Sequence, residues 1–183
     1  YVDLGLPSGL KWATCNVGAS KPEEYGDYFA WGETSAKSIY SGDDYAYYGS
    51  IPELKESGVI DDDGNLTAAY DAASKNWKGS WRMPTKDEIQ ELIDNCTTEW
   101  TTQNGVYGRK VTSKNNGKSI FMPATGYRFD DALFSDNEAG YYWTSSTHEL
   151  YADIAYLFGF SPERFVSSDF LRSNGHTVRP VYK

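Results

Sequence analysis

The sequence predicts a single α+β domain, and three observations lead to this class. A helix start can be read residue by residue around Thr85. Alternating apolar segments elsewhere are typical of strands. Neither an internal repeat nor a low-complexity linker divides the 183 residues, a length that can bury one core. We therefore expect two short helices packed on twisted antiparallel sheets, with long loops between the elements.

The first part of the chain predicts short strands followed by a loop. Strands are expected at Val2–Leu6, Leu10–Ala13 and Tyr28–Trp31. The first two are separated by the turn-forming residues Pro7-Ser8-Gly9. Residues 35–66 are polar, rich in Tyr and without periodicity, so they predict a long surface loop.

Two helices are predicted in the middle of the chain. The first covers residues 67–76, with Thr67 as N-cap. The second begins after Thr85, whose hydroxyl can accept a hydrogen bond from the first turn while Glu88 bonds back to the Thr85 amide, as in a capping box. Apolar residues then recur at helical spacing and predict one buried face: Ile89, Leu92, Ile93 and Cys96.

The last part of the chain predicts strands again. Two of them, at Gly108–Val111 and Ser119–Pro123, are joined by a hairpin turn at Asn115-Asn116-Gly117. Three further segments read as strands: Tyr141–Ser146, Ala152–Phe160 and His176–Tyr182.

Charge and composition exclude several classes of function. A net charge of −9 leaves no basic stripe for nucleic acid and disfavours an anionic membrane surface. No apolar run has the length of a membrane span. Aromatic residues make up 16% of the chain, which is ordinary for a secreted binding module, although many of them will fill the core. Because the sequence starts with Tyr1, any signal peptide, lipid anchor or upstream domain would lie outside it.

The two cysteines, Cys15 and Cys96, leave two alternatives open. In an extracellular domain they could form a disulfide that closes a long loop. They could equally be free thiols acting as small hydrophobic residues, which we favour because spacing alone cannot show the geometry of a bridge.

Several blocks together resemble the Fibrobacter succinogenes major paralogous domain family. They cover nearly the whole chain in order: VDLGLPSGLKWATCNVGA (2–19), YGDYFAWGET (25–34), YDAA (70–73), WRMPTKDEIQELIDNC (81–96), NGKSIFMPATGYR (116–128), GYYWTSS (140–146) and GHTVRPV (175–181). The family is common in secreted or surface-anchored proteins of gut Bacteroidetes. The resemblance therefore implies an extracellular or cell-surface location.

The family is similar to the C-type lectin-like fold, and this similarity assigns structural roles. It implies that Trp31, Trp81 and Trp143 anchor the core and that residues 178–181 lie beside the first strand. The loops between Trp143 and Gly175 would then form the exposed ligand face. Formylglycine-generating enzymes have a similar fold and use a cysteine pair late in the domain, whereas residues 97–183 here contain no cysteine.

No metal or cofactor is expected. Asp61-Asp62-Asp63-Gly64-Asn65 has the oxygen density of a calcium loop, but the twelfth position of an EF-hand would be Ala72 instead of Glu. The calcium motifs of lectins are also missing. We interpret the segment as a solvated acidic turn, with a weak calcium site left open.

A catalytic role is not expected either. His148 lies two residues from Ser146 and would share its face in a strand, but no nucleophile-elbow motif accompanies the pair. An exposed loop histidine is the simpler interpretation, and a hydrolase is the least favoured function.

The candidate ligand site lies in residues 147–174, where aromatic side chains alternate with small polar ones. The candidate contacts are Tyr151, Ser168, Asp169, Phe170, Arg172 and Asn174. The alternative is plain strand alternation, with both faces partly buried. We expect a non-catalytic, monomeric recognition module for a protein or glycan. An architectural module of a larger surface protein, without its own ligand, is the second interpretation.

Overall fold

A computed structural model of the chain describes all residues from Tyr1 to Lys183. Its helices are short, and strands dominate. In chain order the strands are β1 (Val2–Asp3), β2 (Lys11–Trp12), β3 (Cys96–Gln103), β4 (Val106–Ser113), β5 (Ser119–Pro123), β6 (Thr125–Phe129), β7 (Ala132–Asp136), β8 (Gly140–Thr147), β9 (Ile154–Phe160), β10 (Phe165–Leu171) and β11 (Val181–Tyr182). The helices are α1 (Ile51–Glu56), α2 (Ala72–Asn76) and α3 (Lys86–Asn95).

The strands form three sheets. Two sheets have three strands, in the orders β1-β2-β11 and β3-β4-β5, and the third has five, in the order β10-β9-β8-β6-β7. Pairing is antiparallel except between β6 and β8, which meet in parallel at Gly126 and Gly140. Gly126 has φ +60°, and a Cβ there would overlap the carbonyl oxygen of Phe134. Only glycine therefore fits at this junction.

One hydrophobic cluster connects α3 with all three sheets. Ile89 and Leu92 of α3 pack with Trp12, Val111 and Phe158, each from a different sheet. The predicted buried face of this helix is therefore confirmed at Ile89 and Leu92, whereas Ile93 is partly buried and Cys96 is buried as the first residue of β3. A second cluster collects Trp31, Trp143 and the small helices α1 and α2 on the other side of the five-stranded sheet.

The capping box of α3 is confirmed. Thr85 Oγ1 accepts from the Glu88 amide at 3.3 Å, and Glu88 Oε2 accepts from the Thr85 amide at 2.9 Å. By contrast, the predicted start of the preceding helix at Thr67 is wrong. The helix begins at Ala72 because the Asp71 carboxylate accepts from the Ser74 amide, while the Thr67 hydroxyl donates to the carbonyl of Gly58.

Other elements differ from the sequence prediction in identifiable ways. Residues 35–66 are not a continuous loop, because α1 begins after Ser50, whose amide donates to the Glu53 carboxylate at 2.7 Å. Three α-helices are present instead of two. The C-terminal strand pairs with β2 and not with the first strand. Trp31 and Trp143 are fully buried as expected, whereas Trp81 is only partly buried, between Trp77 and Tyr182.

Both cysteines are free thiols, so the favoured alternative holds. Cys96 is buried, and Cys15 is partly buried with its thiol directed to the carbonyl of Ala19. None of the helices is both long and apolar enough to cross a membrane.

Candidate functional site

A cleft of about 420 Å³ opens where three segments meet: the turn at 63–65, the start of α3 and the end of β8. Among its ten lining residues only Ile51 is hydrophobic. The others are Asp63, Gly64, Asn65, Thr85, Lys86, Asp87, Ser146, Thr147 and Glu149. A cleft with this lining offers hydrogen-bond donors and acceptors at close spacing, next to the apolar carbon surface of the same side chains.

The acidic turn is folded by its own side chain. Asp61 Oδ1 accepts from the amides of Asp63 at 3.0 Å and Asn65 at 2.9 Å, as in an Asx turn. The Thr147 amide donates to the carbonyl of Gly64 at 3.0 Å and ties the turn to β8. No group of three or more His, Cys, Asp or Glu side chains in the structure is arranged to hold a metal ion.

A chain of hydrogen bonds fixes the floor of the cleft. The Ser146 hydroxyl donates to Asn65 Oδ1 at 2.7 Å and accepts from the Lys86 amide at 3.0 Å. The turn, β8 and α3 are therefore held in one relative position. Such a preformed arrangement lowers the entropic cost of binding a ligand.

One wall of the cleft carries a coupled set of charged and aromatic groups. Lys86 forms an ion pair with Glu149, and its ammonium lies 4.6 Å from the ring centre of Tyr156. Partial burial raises the pKa of Glu149, but hydrogen bonds from Lys86 and Tyr156 outweigh it and bring that pKa down to about 2. The bond to Glu149, together with burial, raises the pKa of Tyr156 to about 12. Glu149 is therefore anionic and Tyr156 neutral at physiological pH.

Aromatic rings continue from this wall onto the surface. The ring of His148 stacks on Tyr156 at 5.0 Å and contacts Tyr151 at 4.9 Å. Leu150 is 81% exposed and Tyr151 55% exposed. Residues 148–151, which we call the Tyr151 rim, line an adjoining pocket of about 170 Å³ that shares Ile51 and Glu149 with the cleft.

Only two of the six predicted ligand residues come together: Tyr151 and Arg172 line the pocket of about 170 Å³ beside the cleft. Ser168 and Asp169 are neighbours on β10 and so point to opposite faces of the sheet. Phe170 is partly buried against Tyr127 and Tyr141, at ring distances of 5.2 and 6.1 Å. Moreover, residues 147–174 are mostly the β9–β10 hairpin instead of loops.

Two of the predicted ligand residues are buried. Arg172 is fully buried, and its guanidinium donates to the carbonyls of Ile154, Tyr47 and Gly49 while lying over the ring of Trp31. Asn174 is 3% exposed. The expectation of direct ligand contact is wrong for Asn174, which is enclosed in the protein interior, whereas Arg172 also lines the pocket of about 170 Å³ beside Tyr151.

An aromatic strip on the five-stranded sheet was not predicted. Phe134, Tyr127, Tyr141 and Phe170 contact one another in sequence across β7, β6, β8 and β10. His176 lies beneath them, fully buried, and burial lowers its pKa to about 3. Neither imidazole nitrogen has a hydrogen-bond partner in the protein. The strip could not be found from the sequence because β6, β7 and β10 were not recognised as strands.

The histidines do not form a nucleophile–base pair. Nδ1 of His148 accepts from the Leu150 amide at 3.1 Å, while the nearby Ser146 hydroxyl donates to Asn65. His176 is enclosed by aromatic rings. Neither imidazole bonds to a hydroxyl or thiol as a hydrolase would require.

Comparison with known proteins gives one family. The model of the Lcl C-terminal domain family matches residues 6–182, which is nearly the whole chain. No curated protein and no solved structure gives a significant match.

Proposed function

The chain belongs to the Lcl C-terminal domain family, and from this premise we propose that it is a non-catalytic recognition module that binds a glycan in the cleft beside the Tyr151 rim. The observation that carries the proposal is the combination of a cleft with only one hydrophobic lining residue among ten and the exposed ring of Tyr151 in the adjoining pocket. Sugars present hydroxyls in dense arrays and also apolar C–H faces. A site for them needs convergent polar groups and a ring on which to stack.

The charges of the cleft favour a neutral glycan. Three carboxylates, those of Asp63, Asp87 and Glu149, face a single ammonium, that of Lys86. The ammonium is already paired with Glu149. Sulfated or uronic sugars would meet net negative charge in addition to the −9 of the whole chain, so they should bind more weakly than uncharged ones.

The finer identity of the domain is part of the same proposal. The sequence blocks support the Fibrobacter succinogenes major paralogous domain type and a C-type lectin-like fold, and the mixture of short helices and curled sheets is compatible with that fold. We also propose a secreted or cell-surface location, because the resembling proteins act there.

The architectural interpretation remains the second candidate, and one observation favours it. Of the six exposed aromatic side chains, only Tyr151 lies within residues 147–174. The other five are distributed over the surface: Tyr1, Tyr48, Tyr107, Phe129 and Phe134. A domain that only supports its neighbours would show such scatter.

A glycan array with two matched variants separates these functions. Tyr151→Ala removes the stacking ring at the cleft, and Tyr107→Ala removes an equally exposed tyrosine on β4 that packs against Trp100. We expect neutral glycans to bind the native domain and the Tyr107 variant, and to bind Tyr151→Ala at least about tenfold more weakly, as for loss of one interface anchor. Absence of binding to any glycan would favour the architectural module. Equal loss in both variants would place the site elsewhere.

A further inference from the structure

The outer edge of β10 is an unpaired sheet edge of seven residues. β10 ends the five-stranded order and pairs with β9 along its whole length without a bulge. At the two ends of this hairpin, the Ser161 amide donates to the Arg164 carbonyl and the Arg172 amide donates to the Asp153 carbonyl. Hydrogen-bonded pairs occur at every second residue of an antiparallel ladder, so the even-numbered residues of β10 bond to β9. The amides and carbonyls of Phe165, Ser167 and Asp169 therefore point away from the sheet, and no other segment bonds to them.

This edge lacks the features that usually protect exposed strands. β10 contains neither proline nor lysine, and its only charged residue is Asp169. Ser167, Ser168 and Asp169 are all exposed. The opposite edge strand, β7, is shorter and is distorted at Ser135, which has φ +55°. Only the β10 edge of this sheet thus offers a regular, accessible ladder.

The sequence of β10 is symmetric in polarity about Ser168. Two apolar residues stand at each end, Phe165-Val166 and Phe170-Leu171, with three polar residues between them. We propose that β10 pairs in antiparallel fashion with β10 of a second copy of this chain, across a two-fold axis at Ser168. Phe165 then lies opposite Leu171, Val166 opposite Phe170 and Ser167 opposite Asp169, each pair matching in polarity.

The neighbouring registers are less favourable. In both copies the free amides and carbonyls belong to odd-numbered residues, so an odd-numbered residue must lie opposite an odd-numbered residue. The two-fold axis therefore passes through a residue and not between two residues. An axis at Asp169 would place the two Asp169 carboxylates face to face. An axis at Ser167 would place Phe165 opposite Asp169. Ser168 is thus the centre that avoids both conflicts.

The helix beneath the sheet leaves room for this pairing. α3 packs across β8, β9 and β10, so it is centred near β9. With strands about 4.8 Å apart, β9 lies roughly 7 Å from the axis, and the two helices would be about 14 Å apart. That distance exceeds the 8–10 Å or so of directly packed helices, so the two copies of α3 do not collide. The charge of −9 on each copy opposes association, which should therefore strengthen with salt.

Sedimentation velocity on the whole chain at increasing concentration and salt tests the pairing. We expect a monomer–dimer equilibrium, weakened at least about tenfold by Ser168→Lys, which places two ammonium groups opposite each other. Thr102→Lys, on the exposed edge strand β3, is the matched control and should leave association unchanged. A chain that stays monomeric in high salt, or a dimer that only Thr102→Lys disrupts, would overturn the proposal.

Cysteine cross-linking tests the register without depending on the strength of association. In a Cys15→Ser background, which leaves only the buried Cys96, Ser168→Cys should form a disulfide-linked dimer on mild oxidation. Ser167→Cys alone should not, whereas a mixture of Ser167→Cys and Asp169→Cys should. Thermal melting confirms that each variant is folded. Cross-linking of Ser167→Cys alone with none for Ser168→Cys would contradict the register, and neither result depends on whether the cleft binds a glycan.

Discussion

Single residues in this protein often have a role that their type would not suggest. Arg172 is a residue type typical of interface anchors, yet it is buried. Its guanidinium lies over the ring of Trp31 and donates to three backbone carbonyls. A sequence cannot distinguish the two roles, because both need a planar group with many donors. An arginine takes the buried role where the surrounding backbone offers unpaired carbonyls, and this depends on the fold.

Replacing Thr85 with Ala should destabilise the domain by about 1 kcal/mol, the usual cost of losing an N-cap. The hydroxyl satisfies the Glu88 amide in the first turn of α3. Urea denaturation measures the change, with Thr102→Ala on the exposed surface as control. A midpoint identical to that of the native chain would show that the cap does not contribute.

His176 should make the stability depend on pH. Its pKa falls to about 3 in the folded state because the ring is buried, whereas an unfolded histidine titrates near pH 6.5. The unfolded chain then binds more protons between these values. Stability is therefore full above about pH 6.5 and declines as pH falls towards 3, by up to about 1.4 kcal/mol per unit.

His176→Leu should remove this contribution, since leucine does not titrate. The variant should be at least as stable as the native chain near pH 5, because neither imidazole nitrogen has a protein partner to lose. Denaturation curves at pH 5 and 7 for both proteins give the comparison. If the free energy of unfolding changed equally with pH in both proteins, carboxylates alone would cause the pH dependence.

At the level of elements, a helix defined by local sequence signals was predicted better than strands, whose partners lie far away in the sequence. The start and the apolar face of α3 follow from the sequence because its cap and its apolar residues lie within one short segment. β3, β6, β7 and β10 were missed because their exposed faces and polar residues weaken the alternation that identifies a strand. The start of α2 was misplaced because both Thr67 and Asp71 are good caps, and only tertiary contacts select between them.

Asp71 should be the more costly cap to remove. Its carboxylate accepts from the Ser74 amide at 2.9 Å and from the Met83 amide at 2.8 Å, and the residue is 2% exposed. Asp71→Ala leaves a buried amide unsatisfied in addition to the lost cap, so we expect about 2–3 kcal/mol of destabilisation. Asp43→Ala, at an exposed position, is the control for loss of charge. Equal midpoints for the two variants would contradict the bridging role of Asp71.

For the whole molecule, the sequence correctly anticipated an α+β arrangement and much of the core, including Trp31 and Trp143. It does not predict the cleft, although the acidic turn, the capped helix and Ser146 are each visible in it. Their convergence depends on the Asn65–Ser146–Lys86 chain, which joins residues far apart in sequence. Residue patterns along a chain do not show such tertiary contacts.

The folded state should not depend on a metal ion. Asp61 uses a carboxylate oxygen to hold its own turn, so the turn is stabilised by the chain itself. The melting temperature should therefore stay the same after addition of EDTA, measured by circular dichroism, and calcium should not raise it. A substantial drop with EDTA would reveal a bound ion that contributes to stability.

The most direct test of the recognition cleft is a two-dimensional amide NMR titration of the labelled domain with a neutral oligosaccharide that binds it on the array. We predict concentration-dependent shifts confined to the amides that line or border the cleft, with Asn65, Lys86 and Tyr151 among the largest. Shifts centred instead on Tyr127, Tyr141 and Phe170 would contradict the cleft as the ligand site and assign that role to the aromatic strip.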